Sequence, residues 1–132
     1  MLTVATARRL RDAGLSWSPA SGDRFVVADR GMDDEVFVIS EMVIEHHLAP
    51  TGWVLRFNGT TEWALDTLQV EQALWLPRED QLRTALGEHF VSLAREDGGW
   101  VVSTLDRSRF MDQEPEEAYA AALLASRARC VP

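Results

Sequence analysis

The sequence contains no lysine, and all 13 of its basic residues are arginine. Without a lysine amine the chain cannot form a lysine Schiff base, and it lacks the lysine of the Walker phosphate-binding loop. Lysine codons are rich in A and T, whereas most arginine codons are rich in G and C, so the composition indicates a bacterium with a GC-rich genome. The absence of lysine excludes enzymes that use a lysine Schiff base and nucleotide-binding enzymes that use the Walker lysine.

Cysteine and long apolar runs are also scarce. Cys130 is the only cysteine, which excludes an intramolecular disulfide. No run approaches the roughly 18 apolar residues that a membrane-spanning helix needs. The first basic residues, Arg8 and Arg9, follow a short apolar stretch, whereas a secretory signal places its charges before a longer one. We therefore expect a cytoplasmic protein without a membrane partner.

The charge balance is acidic, because 13 basic residues stand against 21 acidic ones and the net charge is −8. An acidic chain is not expected to bind nucleic acid in general. The hydrophobic share of 46% supports a packed core and argues against intrinsic disorder. The length of 132 residues predicts a single domain, residues 1–132.

Three helices are predicted from their start and stop signals. Residues 3–13 form the first, with Thr3 as N-cap and Gly14 as the stop. The second opens at Pro77, because proline is favoured at the first helical position. The last starts near Pro115 and carries two glutamates in its first turn, where they complement the positive helix end.

Strand signals lie between the helices. Residues 24–28 and 35–44 are predicted strands on either side of an acidic turn. Farther on, Trp53, Leu55 and Phe57 alternate with other residues in the period-two pattern of a half-buried strand. Asn58-Gly59 then predicts a tight hairpin, because both residues tolerate positive φ. The returning strand would carry Trp63 and Leu65 on one face.

A second hairpin is predicted around Asp97-Gly98-Gly99, with residues 90–95 and 100–105 as its arms. Together these elements predict an α+β fold: an antiparallel sheet, made of a meander plus a hairpin, with about three helices packed on one face.

Catalytic motifs are missing. The chain has no G-x-S-x-G nucleophile elbow and no dinucleotide-binding glycine pattern, and we expect no cofactor. His89 follows Glu88, but adjacent side chains seldom form a useful acid–base pair. The sequence favours a non-enzymatic function.

Five tryptophans are many for a chain of this length. Trp53 and Trp63 fall on the predicted inner face of the meander and are interpreted as core. Trp17 lies in a polar connector, and Trp75 comes shortly before Pro77. Either could anchor a protein partner, since aromatic residues dominate interface hot spots. Alternatively, each closes one end of the core. The first hypothesis makes the protein an accessory or interaction domain with an unidentified protein partner.

The alternative function is the binding of a small molecule or a metal ion. His46 or His47 would supply a ligand together with nearby carboxylates such as Glu45 and Glu62. Adjacent strand residues point to opposite faces, so the two histidines cannot readily chelate one ion from the same side.

Three segments resemble a family of short actinobacterial proteins that are often labelled pilus assembly protein CpaE. They are DRGMDDEVFV at residues 29–38, FNGTTEWALD at 57–66 and LWLPREDQL at 74–82. The resemblance implies a link to pilus assembly. Full CpaE-type proteins also resemble ParA/MinD-like ATPases, but this chain has no phosphate-binding loop, so no ATPase residue is carried over.

Overall fold

The computed structural model of the chain describes residues 1–27, 32–40, 44–50, 52–57 and 67–129. The helices in this part are α1 (Val4–Asp12), α2 (Glu79–Leu86) and α3 (Pro115–Arg129). The strands are β1 (Arg24–Val27), β2 (Met32–Val38), β3 (Ile44–Ala49), β4 (Gly52–Phe57), β5 (Thr67–Gln69), β6 (Ala73–Leu76), β7 (Phe90–Glu96), β8 (Gly99–Thr104) and β9 (Arg109–Asp112). Short 3-10 helices lie at Val70–Gln72 and Gly87–His89.

The described strands form three antiparallel sheets of three strands each. Their orders are β2-β1-β6, β3-β4-β5 and β7-β8-β9. The predicted α+β class is confirmed, with antiparallel pairing and three helices among the described residues. The packing of all three helices on one sheet face stays a prediction.

The chain divides into two compact units. Unit 1 combines Met1–Ser16 with the described part of Pro77–Pro132, and unit 2 is Trp17–Leu76. Unit 2 is thus an insertion within the sequence of unit 1. The single domain expected from length stays a prediction.

Unit 1 follows its local sequence signals closely. The Thr3 hydroxyl accepts a hydrogen bond from the Thr6 amide at 3.2 Å, which confirms Thr3 as the N-cap of α1. Gly14 adopts φ +95° just after the helix, as its role as a stop requires. Ala7 and Leu10 are buried. The last helix begins at Pro115 as predicted, and α3 packs on α1, α2, β8 and β9.

The prediction for the second helix is displaced by two residues. Pro77 is fully buried and precedes the helix, while Arg78 is the N-cap. The backbone N–H of Arg78 donates to the Gln81 side chain at 2.9 Å, and this bond sets the start of α2 at Glu79. Burial of the proline ring therefore outweighs its preference for the first helical position.

The second predicted hairpin is confirmed. Asp97 and Gly98 both have positive φ, 49° and 79°, as a tight two-residue turn demands. Gly99 starts β8, and β9 adds a third strand that sequence reasoning missed. Only four residues long, β9 carries too short a period-two pattern to be recognised.

In unit 2, β1 is the central strand of its sheet. It pairs with β2 on one side and with β6 on the other. Phe25 and Val27 are fully buried there and belong to a cluster with Phe37, Ile39 and Leu55. The cluster joins side chains of the first sheet to Leu55 of the second, so both sheets share one core.

The predicted strand at residues 35–44 is confirmed for residues 35–38, but its bounds differ in the structure. The structure has β2 at Met32–Val38 and a new strand, β3, starting at Ile44. Asp33 and Asp34, which belong to the predicted acidic turn, already lie in β2. Charged side chains are compatible with this position because β2 is an edge strand of its described sheet.

The predicted antiparallel meander is confirmed as an arrangement by the order β3-β4-β5, but its first strand is Ile44–Ala49 and its third described strand is Thr67–Gln69. Ala49 pairs with Gly52 at its first turn. The predicted hairpin at Asn58-Gly59, and the positions of Trp63 and Leu65, lie outside the described residues.

Candidate functional site

Trp17 and Trp75 lie against each other in unit 2. Their ring centroids are 6.1 Å apart and the rings are nearly parallel, at 5°. Trp17 also contacts Phe25, with 6.0 Å between centroids and an interplanar angle of 39°. Both indoles are half-buried. The structure therefore brings together the two tryptophans that the sequence singled out, and it places Trp17 against the core of unit 2.

A buried carboxylate holds Trp17 in place. Asp23 is only 3% exposed, and its Oδ2 accepts hydrogen bonds from the Trp17 indole N–H at 2.9 Å and the Ala20 amide at 3.1 Å. The Asp23 carbonyl accepts from the Ile39 amide at 2.9 Å, which ties the connector to the end of β2. The segment predicted to be a polar connector is therefore a hydrogen-bonded turn that orients the Trp17 ring.

The indole N–H of Trp75 is enclosed and finds no hydrogen-bond acceptor among the described residues. An unsatisfied buried donor costs about 1–3 kcal/mol. The stacking of the Trp75 indole on Trp17 offsets part of this cost, and Trp75 lies opposite Phe25 in the register of β1 and β6.

Among the tryptophans that the structure describes, Trp53 has the large exposed surface, and it lies at the start of β4. It is 49% exposed, and its cross-strand neighbour Leu48 is 60% exposed. We call Leu48 and Trp53 the hairpin tip pair. The interpretation of Trp53 as a core residue is wrong. The alternating pattern places Trp53 on the same face as Leu55, but the core cluster includes Leu55 and does not extend to Trp53 at the start of the strand. A period-two pattern predicts a face and not how far along the strand that face is covered.

The residues of the metal hypothesis are only partly placed. Backbone pairing sets Glu45 opposite Arg56, His46 opposite Leu55, and His47 opposite Val54. Glu62 lies outside the described residues. Where side chains are described, no group of three or more His, Cys, Asp or Glu residues could hold a metal ion. The metal site stays a prediction, and metal analysis of protein purified without added metal tests it.

Unit 1 contains a groove that gathers polar side chains from separate elements. It has a volume of about 420 Å³ and lies beside α3 and the turn between β8 and β9. His89, Asp106 and Ser126 line it together with the apolar side chains of Phe110 and Ala125. The sequence pattern relates His89 only to its neighbour Glu88. Asp106 and Ser126 are distant from His89 in sequence and come near it only in the folded chain.

None of the helices in the described part of the chain is both long enough and apolar enough to cross a membrane. No protein-family model, curated protein or solved structure matches this chain.

Proposed function

We propose that this protein is a non-enzymatic, cytoplasmic interaction domain that binds a protein partner through the aromatic surface of unit 2. The observation that carries the proposal is the hairpin tip pair, because Leu48 and Trp53 lie directly opposite each other and are both largely exposed. Exposed tryptophan is a favoured anchor in protein interfaces, where it fills a pocket of the partner.

The segment around this pair is suited to an apolar contact. Residues 48–55 contain no charged side chain, although 26% of the whole chain is charged. Burying this segment in an interface would therefore desolvate no charged side chain. The desolvation of charged groups is the main cost at many interfaces. We expect the partner to offer an apolar pocket.

Trp17 and Trp75 are the second part of the proposed surface. They are half-buried, and their stacked geometry is held by Asp23, so a partner would meet a rigid aromatic patch. A rigid patch loses little conformational entropy on binding. Because Trp17 also packs on the core, we assign the larger share of affinity to Trp53.

The resemblance to CpaE-labelled proteins suggests that the partner belongs to pilus assembly. This is a proposal about the partner's identity, separate from the proposed binding surface. Recovery of pilus components by affinity capture from the native bacterium would support it, and recovery of unrelated proteins alone would contradict it.

The binding surface is tested with the purified partner that such a capture identifies. We expect Trp53→Ala to weaken binding about 30-fold, as for a hot spot worth about 2 kcal/mol. Trp75→Phe, which retains a ring, should weaken it less. The matched control is Met111→Ala, because Met111 is similarly exposed, at 54%, but belongs to unit 1.

Calorimetry gives the affinities, and circular dichroism verifies that each variant is folded. Full affinity in both folded tryptophan variants would contradict the proposed surface. A loss of affinity in Met111→Ala alone would instead move the contact to unit 1.

A further inference from the structure

The negative charge of the chain is concentrated in one of its two units. Unit 2 contains ten of the 21 acidic residues but only three of the 13 arginines, so its formal charge is −7 with histidine neutral, whereas unit 1 carries −1. The hairpin tip pair belongs to unit 2. A partner that approaches Leu48 and Trp53 therefore meets the negative field of this unit, which attracts cations and repels anions.

One acidic side chain has a defined place near the pair. In the antiparallel pairing of β4 with β5, Val54 lies opposite Gln69. The 3-10 helix Val70–Gln72 follows β5 directly and contacts β4. Because β5 runs opposite to β4, this helix lies toward the start of β4, which is the end that carries Trp53. The exposed Glu71 at the centre of the helix is therefore at the same end of the sheet as the hairpin tip pair.

The uncharged pair and the acidic residues together have the organisation of a protein-binding surface. Residues 48–55 provide an uncharged centre, and Glu71 provides a charge at its rim. An apolar centre with a polar rim is the ordinary anatomy of protein interfaces. The centre supplies most of the affinity, and the charges determine which partner is accepted and how fast it associates. An exposed tryptophan ring also attracts an arginine guanidinium to its face.

The same charge argues against other occupants of this surface. Nucleic acid and anionic lipid both present phosphate groups, which a negative unit repels. A second copy docked through the same pair would bring two units of −7 together, so the charge opposes self-association here. The charge therefore favours a protein of positive charge.

We propose that the partner offers a basic surface, in which apolar side chains cover Leu48 and Trp53 and the surrounding arginine or lysine residues face Glu71. This inference rests on the proposed function, because it specifies the chemistry of the partner that binds the hairpin tip pair. Attraction between the two surfaces should accelerate association, and salt should slow it.

The chemistry of the partner is tested by selection from a phage-displayed library of disulfide-constrained random dodecapeptides. The intact protein is the target, at about 0.15 M NaCl, where exposed charges farther apart than about 8 Å are largely screened. A parallel selection on Trp53→Ser identifies peptides that bind through charge alone, and these are discarded. We expect the remaining peptides to combine apolar side chains with a more positive net charge than the unselected library.

The position of the rim charge is tested with the most enriched of these peptides, in calorimetry. Glu71→Gln should weaken its binding about two- to fivefold, as expected for one exposed ion pair. The matched control is Glu88→Gln, because Glu88 is also exposed and also occupies the centre of a three-residue 3-10 helix, Gly87–His89, in unit 1. This control should leave the affinity unchanged.

Salt provides a separate measurement of the same attraction. Raising NaCl to about 0.5 M should weaken binding of the basic peptide, whereas a version with glutamine at each basic position should bind more weakly and respond little to salt. Equal salt responses of the two peptides would contradict the electrostatic part of the proposal.

The outcomes distinguish this proposal from the proposed function. Enrichment of uncharged or acidic peptides that require Trp53 would overturn the basic partner and leave the binding surface standing, as would equal affinities of the Glu71→Gln and Glu88→Gln variants. A selection without any peptide that requires Trp53 would contradict both proposals. Dimers in analytical ultracentrifugation that dissociate in Trp53→Ser would assign the pair to a second copy. If circular dichroism shows that Trp53→Ser is unfolded, Leu48→Ser replaces it.

Discussion

The two units build their cores from different side chains. In unit 2, aromatic rings meet one another: Phe25 stacks on Phe37 with 5.5 Å between centroids, and Trp17 covers Phe25. In unit 1, helices contribute leucine and alanine, and Phe90 stacks on Tyr119 with 5.7 Å between ring centroids. Strands bring large rings face to face, whereas closely packed helices leave room mainly for smaller side chains.

The sheets of the two units also differ in how local their strand pairings are. The paired strands β7, β8 and β9 follow one another directly along the chain. In unit 2, by contrast, β1 pairs with β6, so that Phe25 lies opposite Trp75, fifty positions later. The sheet β2-β1-β6 is therefore closed by a long-range strand pairing, which carries a higher loop-closure entropy. In unit 1 the long-range contact is made by helices, because α1 packs on α3.

The largest expected effect comes from truncating one fully buried side chain in the core of each unit in turn. Phe25→Ala should cost unit 2 about 3–5 kcal/mol, because a fully buried ring is removed. Leu82→Ala, also fully buried, should cost unit 1 about 2–5 kcal/mol. Hydrogen exchange should show lost protection within residues 17–76 in the first variant and in α2 and α3 in the second. Equal loss in both units from either change would show that the cores act as one.

A smaller effect is expected at Asp23, which orients Trp17. Asp23→Ala removes the acceptor of two hydrogen bonds in a buried place and should lower the free energy of unfolding by about 1.5–3 kcal/mol. The near-ultraviolet circular dichroism of the Trp17–Trp75 pair should change with it. Asp12→Ala, at an exposed carboxylate, is the control and should stay within about 0.5 kcal/mol. An unchanged tryptophan spectrum in Asp23→Ala would contradict the positioning role.

In unit 1 the corresponding local feature is the cap of α1. Thr3→Ala should lower the free energy of unfolding by about 1 kcal/mol, because the Thr6 amide loses its acceptor. Thr3→Ser retains the hydroxyl and should restore most of this stability. Chemical denaturation of both variants measures the difference, and equal stability of the alanine and serine variants would rule out the cap as the cause.

The smallest effect concerns Tyr119, the only tyrosine of the chain. Burial raises the pKa of Tyr119. The negative charge of Glu79 raises it further, whereas the positive charge of Arg83 opposes the shift. As pH rises, the unfolded chain loses this proton first. The stabilisation is therefore complete below the ordinary tyrosine pKa of about 10 and is lost as the pH rises through the folded-state pKa.

Tyr119→Phe should remove this alkaline loss of stability. At neutral pH it should be neutral to about 1 kcal/mol stabilising, because the buried hydroxyl finds no partner in the described part of the chain. Ultraviolet absorbance of tyrosinate follows the titration without interference from another tyrosine. Ionisation at the ordinary pKa in the folded protein would contradict the burial effect.

The candidate surface was only partly predictable. The sequence identified Trp17 and Trp75 as unusual, because one lies in a polar connector and the other precedes a proline, but it contained no sign that the two rings stack. It assigned Trp53 to the core, since alternation reports the face of a residue and not the extent of its cover. The groove in unit 1 could not be predicted from the sequence, because Asp106 and Ser126 belong to different elements and come together only in the folded chain.

The features that can be predicted from the sequence alone are those made within a few residues. They include the N-cap at Thr3, the turn at Asp97-Gly98, the start of α3 at Pro115 and the α+β class. Each depends on backbone preferences and hydrogen bonds between near neighbours, which the local sequence encodes. Three other features emerge only in the folded chain: β6 pairs with β1, Trp75 stacks on Trp17, and Trp53 is half exposed. These outcomes depend on which apolar surfaces find each other across many residues, and no local pattern contains that information.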